Sequence, residues 1–388
     1  MTSRSFALFT TLATSVLFAG HVLAQDPGVT SSSIKLGQVA VFEGPAAPLG
    51  LGMRSGLQAA FEEANRAGGV NGRKIELVTR DDGYEPTRAL EALKQLIEQD
   101  KVFALVGPVG TPTTVATMPV AEQAQVPMIG PFTGAEALRA PFRPWLVNLR
   151  ASYFQETEEM VERLTKDLGI TKIAIFFQDD AFGRAGLAGV QKAMDKRSMK
   201  LVAEGTYERN TTAVRSALLT IRGAAPEAVI MVGAPAPCAE FIKLARQIKL
   251  EATFVNISFV GADALAKALG DKGAGVVVTQ VVPLPTDTSI PLVAKYQAAL
   301  KAVDGAATPG FISLEGYAVG RLVVEAVQRL GAAPERKKLI EAIQGMTALD
   351  LGGLKLAFGP QNHQGSNQVF VTILGADGQF TQVGKLTR

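Results

Sequence analysis

Residues 34–82 read IKLGQVAVFEGPAAPLGLGMRSGLQAAFEEANRAGGVNGRKIELVTRDD, and the order of elements in this stretch decides the fold. Positions 34–42 are apolar and β-rich, as a strand buried on both faces of a parallel sheet must be. Gly44-Pro45 breaks the run. From 52 to 67, Leu57, Phe61 and Ala64 recur at helical spacing. Gly68-Gly69 then stops the helix, and 74–80 supplies the next strand. A βαβ unit of this kind holds small molecules at the carboxyl ends of its strands.

The unit follows what reads as a secretion leader. Residues 1–24 carry one positive charge, Arg4, then an apolar stretch from Phe6 to Gly20, then Val22-Leu23-Ala24 before Gln25. This is the pattern of a signal peptide cleaved after Ala24. Its apolar core is too short and too rich in Thr and Ser to span a bilayer, and no later run is long and apolar enough to do so. Loss of Arg4 takes the formal charge from +3 to +2. The charges are interspersed, with no basic block to follow nucleic acid or lipid headgroups. Cys238 is the only cysteine, so the chain has no intrachain disulfide and must stand on core burial. A chain of 388 residues can do so as two domains. A large secreted protein without disulfides suits a bacterial periplasm. There, the opening unit suggests a nutrient receptor rather than a metabolic enzyme.

The alternation continues. Strands are expected at 103–107 and 126–130, with a helix at 113–125 between them, followed by an irregular stretch at 134–150. A helix at 156–168 leads to a strand at 172–177. Then come strand 201–207, helix 213–222, strand 228–233, helix 238–249, strand 252–257, helix 262–269 and strand 275–282. This makes a second α/β sheet. After Pro283-Leu284-Pro285, helices read at 291–303, 312–330 and 335–344. Short strands close the chain at 354–358, 368–374 and 379–383, with Asp377-Gly378 as a hairpin turn between the last two. The fold class is therefore α/β: two doubly wound parallel-sheet lobes, joined near 146–152 and 279–285, with a hinge and a cleft between them.

Several local motifs then resemble one known family. They are Gly44-Pro45 after the first strand, GGVNGRKIELVTRDD (68–82), ALVGPVGTPTT (104–114), VPMIGPFTGA (126–135), QDDAFGRAG (178–186) and EGYAVGRLVVEA (315–326). In this order the chain is similar to the type I periplasmic binding proteins of ABC transporters, in the branched-chain amino acid (leucine/isoleucine/valine) and amide group. The resemblance covers nearly all of the chain behind the leader. It implies ligand capture between two lobes and delivery to a permease and ATPase complex in the inner membrane, by a monomer without cofactor or metal. It divides the chain into a first lobe at 27–150 plus 282–357 and a second at 151–281 plus 358–388.

Candidate ligand contacts follow from the motifs. Gly110-Thr111-Pro112 opens a helix, with Thr111 in N-cap position and Pro at the first turn. Free N–H groups and the positive end of the helix dipole favour a carboxylate there. The resemblance puts the ligand carboxylate on Thr111. It continues the pocket at Phe132, Thr133 and Gly134, places Leu49 where a tyrosine is frequent, and brings Tyr153 and Phe182 over the ligand from the far side. It also exposes a departure. Where binders of α-amino acids carry an acid for the ligand ammonium, this chain has Ser258, and the tyrosine expected after strand 228–233 is Ala234. A buried ammonium without an anionic partner is costly. Either Asp179, Asp180 or Glu43 replaces that acid, or the ligand lacks an ammonium; the second reading is preferred.

Catalysis is the competing class. His21 leaves with the leader, so His363 is the one remaining imidazole, in the turn-like and surface-like segment Pro360-Gln361-Asn362-His363. There is no G-x-S-x-G elbow, and Cys238 has no base beside it in sequence. A single His with scattered acids offers no metal spacing. A soluble partner of a sensor kinase with the same fold is a further alternative to the importer.

Overall fold

The computed structural model describes residues 26–387; the expected leader lies outside the described residues. The first sheet is built from β1 (Ser33–Ala40), β2 (Lys74–Asp81), β3 (Ala104–Val106), β4 (Met128–Ile129) and β5 (Leu146–Val147). Its order is β2-β1-β3-β4-β5, parallel throughout. Around it lie α1 (Ala47–Arg66), α2 (Pro86–Glu98) and α3 (Thr111–Gln123). Helix α4 (Tyr153–Glu162) starts the second unit and is capped by a reciprocal box, with Ser152 accepting from the Gln155 N–H and Gln155 accepting from the Ser152 N–H.

The second unit alternates β6 (Ile173–Gln178), α5 (Ala181–Asp195), β7 (Ala203–Tyr207), α6 (Arg215–Gly223), β8 (Ala228–Val232), α7 (Pro235–Gln247), β9 (Thr253–Asn256), α8 (Ala262–Leu269) and β10 (Val277–Gln280). The chain then returns to the first unit with α9 (Pro291–Val303), α10 (Phe311–Leu330) and α11 (Arg336–Gln344), where α10 packs along α1. A short hairpin of β11 (Leu349–Asp350) and β12 (Lys355–Leu356) follows. Finally β13 (Phe370–Leu374) and β14 (Phe380–Val383) join the second sheet. Its order is β14-β13-β10-β9-β8-β6-β7, with the last two strands of the chain antiparallel. The second sheet is thus mixed: parallel from β7 to β10, with an antiparallel hairpin at one edge.

Central strands are buried end to end; every residue of β6, β8 and β10 is buried. Cys238 lies inside this core, and burial raises its thiol pKa strongly. Two helices were absent from the expected series, α2 and α5. His363 was expected on the surface but is buried: its Nδ1 faces the carbonyls of Leu146 and Arg143 at 2.9 and 3.1 Å, and burial lowers its pKa. It lies in a segment that runs beside the exit of β5, where Asn148 donates to the His363 carbonyl and accepts from Gly365. Two stretches of chain therefore pass side by side between the sheets.

Candidate functional site

In an open α/β sheet the ligand crevice opens where strand order reverses, outside the carboxyl ends of the strands. The first sheet reverses between β1 and β3, and the second between β6 and β8. The candidate residues all lie at such ends: Thr111 beyond β3, Phe132–Gly134 beyond β4, Tyr153 beyond β5, Phe182 beyond β6 and Ser258 beyond β9. A surface cavity of about 910 Å³ lined by Arg222, Lys249 and Thr253 lies instead at the amino ends of the second sheet's strands and is not this crevice.

Gly110, not Thr111, is the N-cap of α3, and Thr111 is the first helical residue. Gly110 takes φ 101°, open to glycine and strained for other residues, and a Cβ there would run into the Tyr84 ring. The first helical bond runs from the Thr114 N–H to the Gly110 carbonyl, so the N–H groups of Thr111 and Thr113 precede it and remain available at the helix end. The Thr111 hydroxyl is 2.6 Å from that of Thr133, which also accepts from the Ala135 N–H at 3.3 Å. Both threonines are buried. The Gly134 carbonyl accepts from the Tyr153 N–H at 2.7 Å, which seats the Tyr153 ring beside this pair. The Tyr153 hydroxyl lies near Thr133 without hydrogen-bond geometry, and burial pushes its pKa up to about 12.

An aromatic wall faces these hydroxyls. Phe259 is its hub, with ring centres 4.4 Å from Phe182, 5.3 Å from Phe132 and 6.2 Å from Tyr84; Phe182 is in turn 5.6 Å from Tyr153. All five rings are buried. Residues of both units meet here, so the cleft is closed. Leu49 is buried across from Gly261 of the second unit, beside Ile312. Tyr84 and Phe259 were not among the expected site residues. Tyr84 stands in the left-handed region at φ 62°, in the turn that follows β2. The signal available for it was an aromatic directly after Asp81-Asp82-Gly83.

Ser258 is not a bare hydroxyl awaiting a ligand. Its N–H and its Oγ donate to the two oxygens of Glu156, both at 2.9 Å, and Arg150 donates to its Oγ. Glu156 also accepts from Thr279 at 2.7 Å and from Arg150 at 3.2 Å. A second acid, Glu315 of α10, approaches Arg150 at 3.6 Å. Arg150, Glu156 and Glu315 are all buried. None of the three acids considered as replacements for the missing carboxylate stands free in the cleft. Glu43 is exposed, Asp179 is exposed and paired with Arg184, and Asp180 is taken up by Phe182 N–H, Gln178 and Arg209. Asp82 has a buried oxygen without a hydrogen-bond partner, and burial pushes its carboxyl up to about 7. Among the described residues, no group of three or more His, Cys, Asp or Glu is placed to hold a metal ion.

Outside the aromatic wall the two units are tied by polar contacts. Glu85 accepts from Arg209 at 2.9 Å and from Asn210 at 2.7 Å, Asn210 also donates to the Gly83 carbonyl at 3.1 Å, and Asp263 accepts from the Phe311 N–H at 2.9 Å.

Two α/β sheets closing their switch points over a buried, aromatic-lined cleft define a two-lobed solute-binding protein. The chain belongs to the periplasmic binding protein family, whose model matches residues 33–379. It is 38% identical to the solved structure of a possible leucine/isoleucine/valine-binding protein from Rhodopirellula baltica SH 1, with TM-score 0.87 over 91% of this chain and 97% of that one. A substrate-binding periplasmic protein from Ralstonia solanacearum is 28% identical, with TM-score 0.86 over 90% of this chain and 100% of that one. Leu/Ile/Val-binding protein homolog 7 of Brucella abortus (strain 2308) is 26% identical over 393 residues, covering 95% of this chain and 96% of its own. The type I periplasmic binding fold expected from the motifs is therefore the fold of this protein, and the family is one of solute binders, not of enzymes.

Proposed function

We propose that this chain is the secreted solute-binding component of an ABC importer, processed after Ala24, acting as a periplasmic monomer and handing its ligand to a permease and ATPase complex in the inner membrane. The lobes are 27–150 with 282–357 and 151–281 with 358–388, moving about the crossings between them. The ligand is a small carboxylate with an apolar or aromatic body and no required ammonium. Relatives named for leucine, isoleucine and valine support the size of such a ligand. Its carboxylate sits at Thr111, Thr133 and the free N–H groups that open α3. Its body lies among Leu49, Phe132, Tyr153, Phe182 and Phe259, in the apolar-lined manner of most ligand sites.

The observation that carries the absence of an ammonium is the state of Ser258. The place of the amine-binding acid is filled by a serine whose N–H and hydroxyl are already engaged by Glu156 and Arg150, so it offers a ligand ammonium no free anionic partner. Thermal shift and calorimetry with phenylacetate, 4-methylpentanoate and leucine test this, because a ligand of the native state raises the melting temperature. The expected result is binding of at least one of the two acids, with leucine weaker. Scattering should show a smaller radius of gyration with that acid than without. Tight leucine binding that ignores both acids overturns the ligand class, with Asp82 then the acid to examine by Asp82→Asn.

A further inference from the structure

Three hydroxyls meet at the start of α3, and their protons outnumber the oxygens that take them. Thr111 opens α3, Thr133 follows β4 and Tyr153 opens α4, where the Gly134 carbonyl accepts from its N–H at 2.7 Å. The Thr111 and Thr133 hydroxyls share one hydrogen bond of 2.6 Å, which places one proton. Thr133 Oγ1 spends a lone pair on the Ala135 N–H at 3.3 Å. The Tyr153 hydroxyl has no hydrogen-bond partner. Were Tyr153 to turn and donate to Thr133, and Thr133 to Thr111, the Thr111 proton would be the one left over. However the three protons are arranged, at least one has no acceptor. Tyr153 and Thr133 are 0% exposed and Thr111 1%, so bulk water does not supply one. A buried donor left in this state is costly, and each such group calls for an explanation. The N–H groups of Thr111 and Thr113 add two more unused donors at the same helix end. Burial pushes the Tyr153 phenol up to about 12, so it keeps its proton at neutral pH.

We propose that Tyr153 is a specificity-determining residue of the cleft: its hydroxyl donates to one oxygen of the ligand carboxylate, while Thr111 and the N–H groups that open α3 hold the other. This rests on the carboxylate reading above and adds to it. The Tyr153 ring lies against the ligand body, and its hydroxyl reaches the head group. The ring has little freedom to turn away. Its centre is 5.6 Å from that of Phe182, and Gly134 makes room for it, since a Cβ at that position would lie 2.5 Å from a ring carbon.

The excess of donors also selects among head groups. An ionised carboxylate only accepts, with about four lone-pair sites, and so can take every proton this cluster has to give. The primary amide of the same shape has one carbonyl oxygen and brings two N–H donors of its own. A hydroxyl that accepts from the amide leaves its own proton unplaced. The cluster is therefore matched to an acid and opposed to the isosteric amide, by neutral donors and a helix end.

The test is calorimetry on the full secreted chain, wild type and Tyr153→Phe, with phenylacetate, 4-methylpentanoate and the primary amide of each. The melting temperature of each free protein and the near-ultraviolet difference spectrum on adding ligand complete it. Wild type should bind at least one acid ten-fold or more tightly than its amide. Tyr153→Phe keeps the ring and should lose roughly ten- to a hundred-fold in affinity for that acid, the worth of a hydrogen bond to a charged group, and much less for the amide. The variant sheds an orphaned hydroxyl, so its free form should melt at or above the wild-type temperature. The acid should shift the tyrosine absorption of wild type to longer wavelength, as a phenol does when it donates, and Tyr153→Phe should lose that shift. A variant that binds the acid as wild type does, or wild type that binds acid and amide alike, overturns the inference while the carboxylate reading stands. A lower melting temperature with acid and amide weakened equally gives the hydroxyl a structural role and overturns it too. Failure of both acids to bind wild type overturns the ligand class and this inference together.

Discussion

In the closed cleft the hydroxyl of Thr111 has the hydroxyl of Thr133 as its partner, and a ligand carboxylate would receive that proton instead. Thr111→Val removes the donor but keeps the shape. Loss of a charge-assisted hydrogen bond costs about 1.5–3 kcal/mol, so calorimetry should find affinity for the bound acid lower by roughly ten- to a hundred-fold. Stability of the free protein should fall by only about 1 kcal/mol, for the lost Thr111–Thr133 bond rather than for a lost cap, since Thr111 is not the cap. Glu315 makes a prediction of opposite kind. Its carboxyl is raised from 4.5 to about 7, so the folded chain holds a proton that the unfolded chain releases between those values. That contribution is complete below about pH 4.5, is lost as pH rises toward 7, and is level above. Denaturant unfolding at pH 5 and pH 8 should show a decrease that Glu315→Gln reduces by up to about 3 kcal/mol, leaving the share of Asp82. An equal decrease in the variant assigns the pH dependence to Asp82, the other carboxyl raised to about 7.

Helices and strands show where sequence suffices and where it does not. The expected bounds of α8 and α9 are those observed, and Asp377-Gly378 does turn β13 into β14. The carboxyl-end loops carrying Thr111, Thr133, Tyr153 and Phe182 converge as the motifs imply. Helix α5 escaped because Gly183, Gly186 and Gly189 lower its helical signal; Gly183 is required where the helix passes against the Gln178 carbonyl. Helix α2 escaped because its buried face is two alanines and two leucines in a mostly polar stretch. Arg150, Glu156 and Glu315 escaped for another reason: they come from three separate segments, and their pairing exists only after the sheets assemble. A lone Arg at the end of Trp145–Arg150 and a lone Glu in the apolar start of α10 were the traces left in sequence. The start of α3 gives the prediction at this scale. Gly110→Ala forces a side chain into φ 101° and into Tyr84, which should cost about 1–3 kcal/mol and lower the melting temperature by several degrees. An unchanged melting temperature would mean that Tyr84 and the loop shift freely.

Closure of the whole molecule is held by the aromatic wall inside and by Glu85 with Arg209 and Asn210 at the rim. The rim pair is partly exposed, at 22% for Arg209 and 41% for Glu85, so its worth is limited to about 1 kcal/mol or less. Glu85→Ala should therefore shift the apo ensemble toward open forms and weaken ligand binding by no more than about five-fold. Scattering of the apo variant, compared with wild type, reads the shift directly. Truncating the hub, Phe259→Ala, removes the ring on which both units meet and should weaken binding far more than the rim variant does. Equal effects from the two would mean that the rim, not the wall, holds the lobes together.

The single thiol of Cys238, sealed in the second sheet's core and held in its protonated form, has a practical consequence. Thiol-reactive dyes attack thiolates, so the native surface should take no label. One cysteine introduced at the cleft rim, at Asn210 for example, would then be the sole point of attachment. A dye placed there moves from water toward protein as the lobes close, and its brightness would report solute concentration in real time. The molecule is in that sense already prepared as the body of an optical sensor.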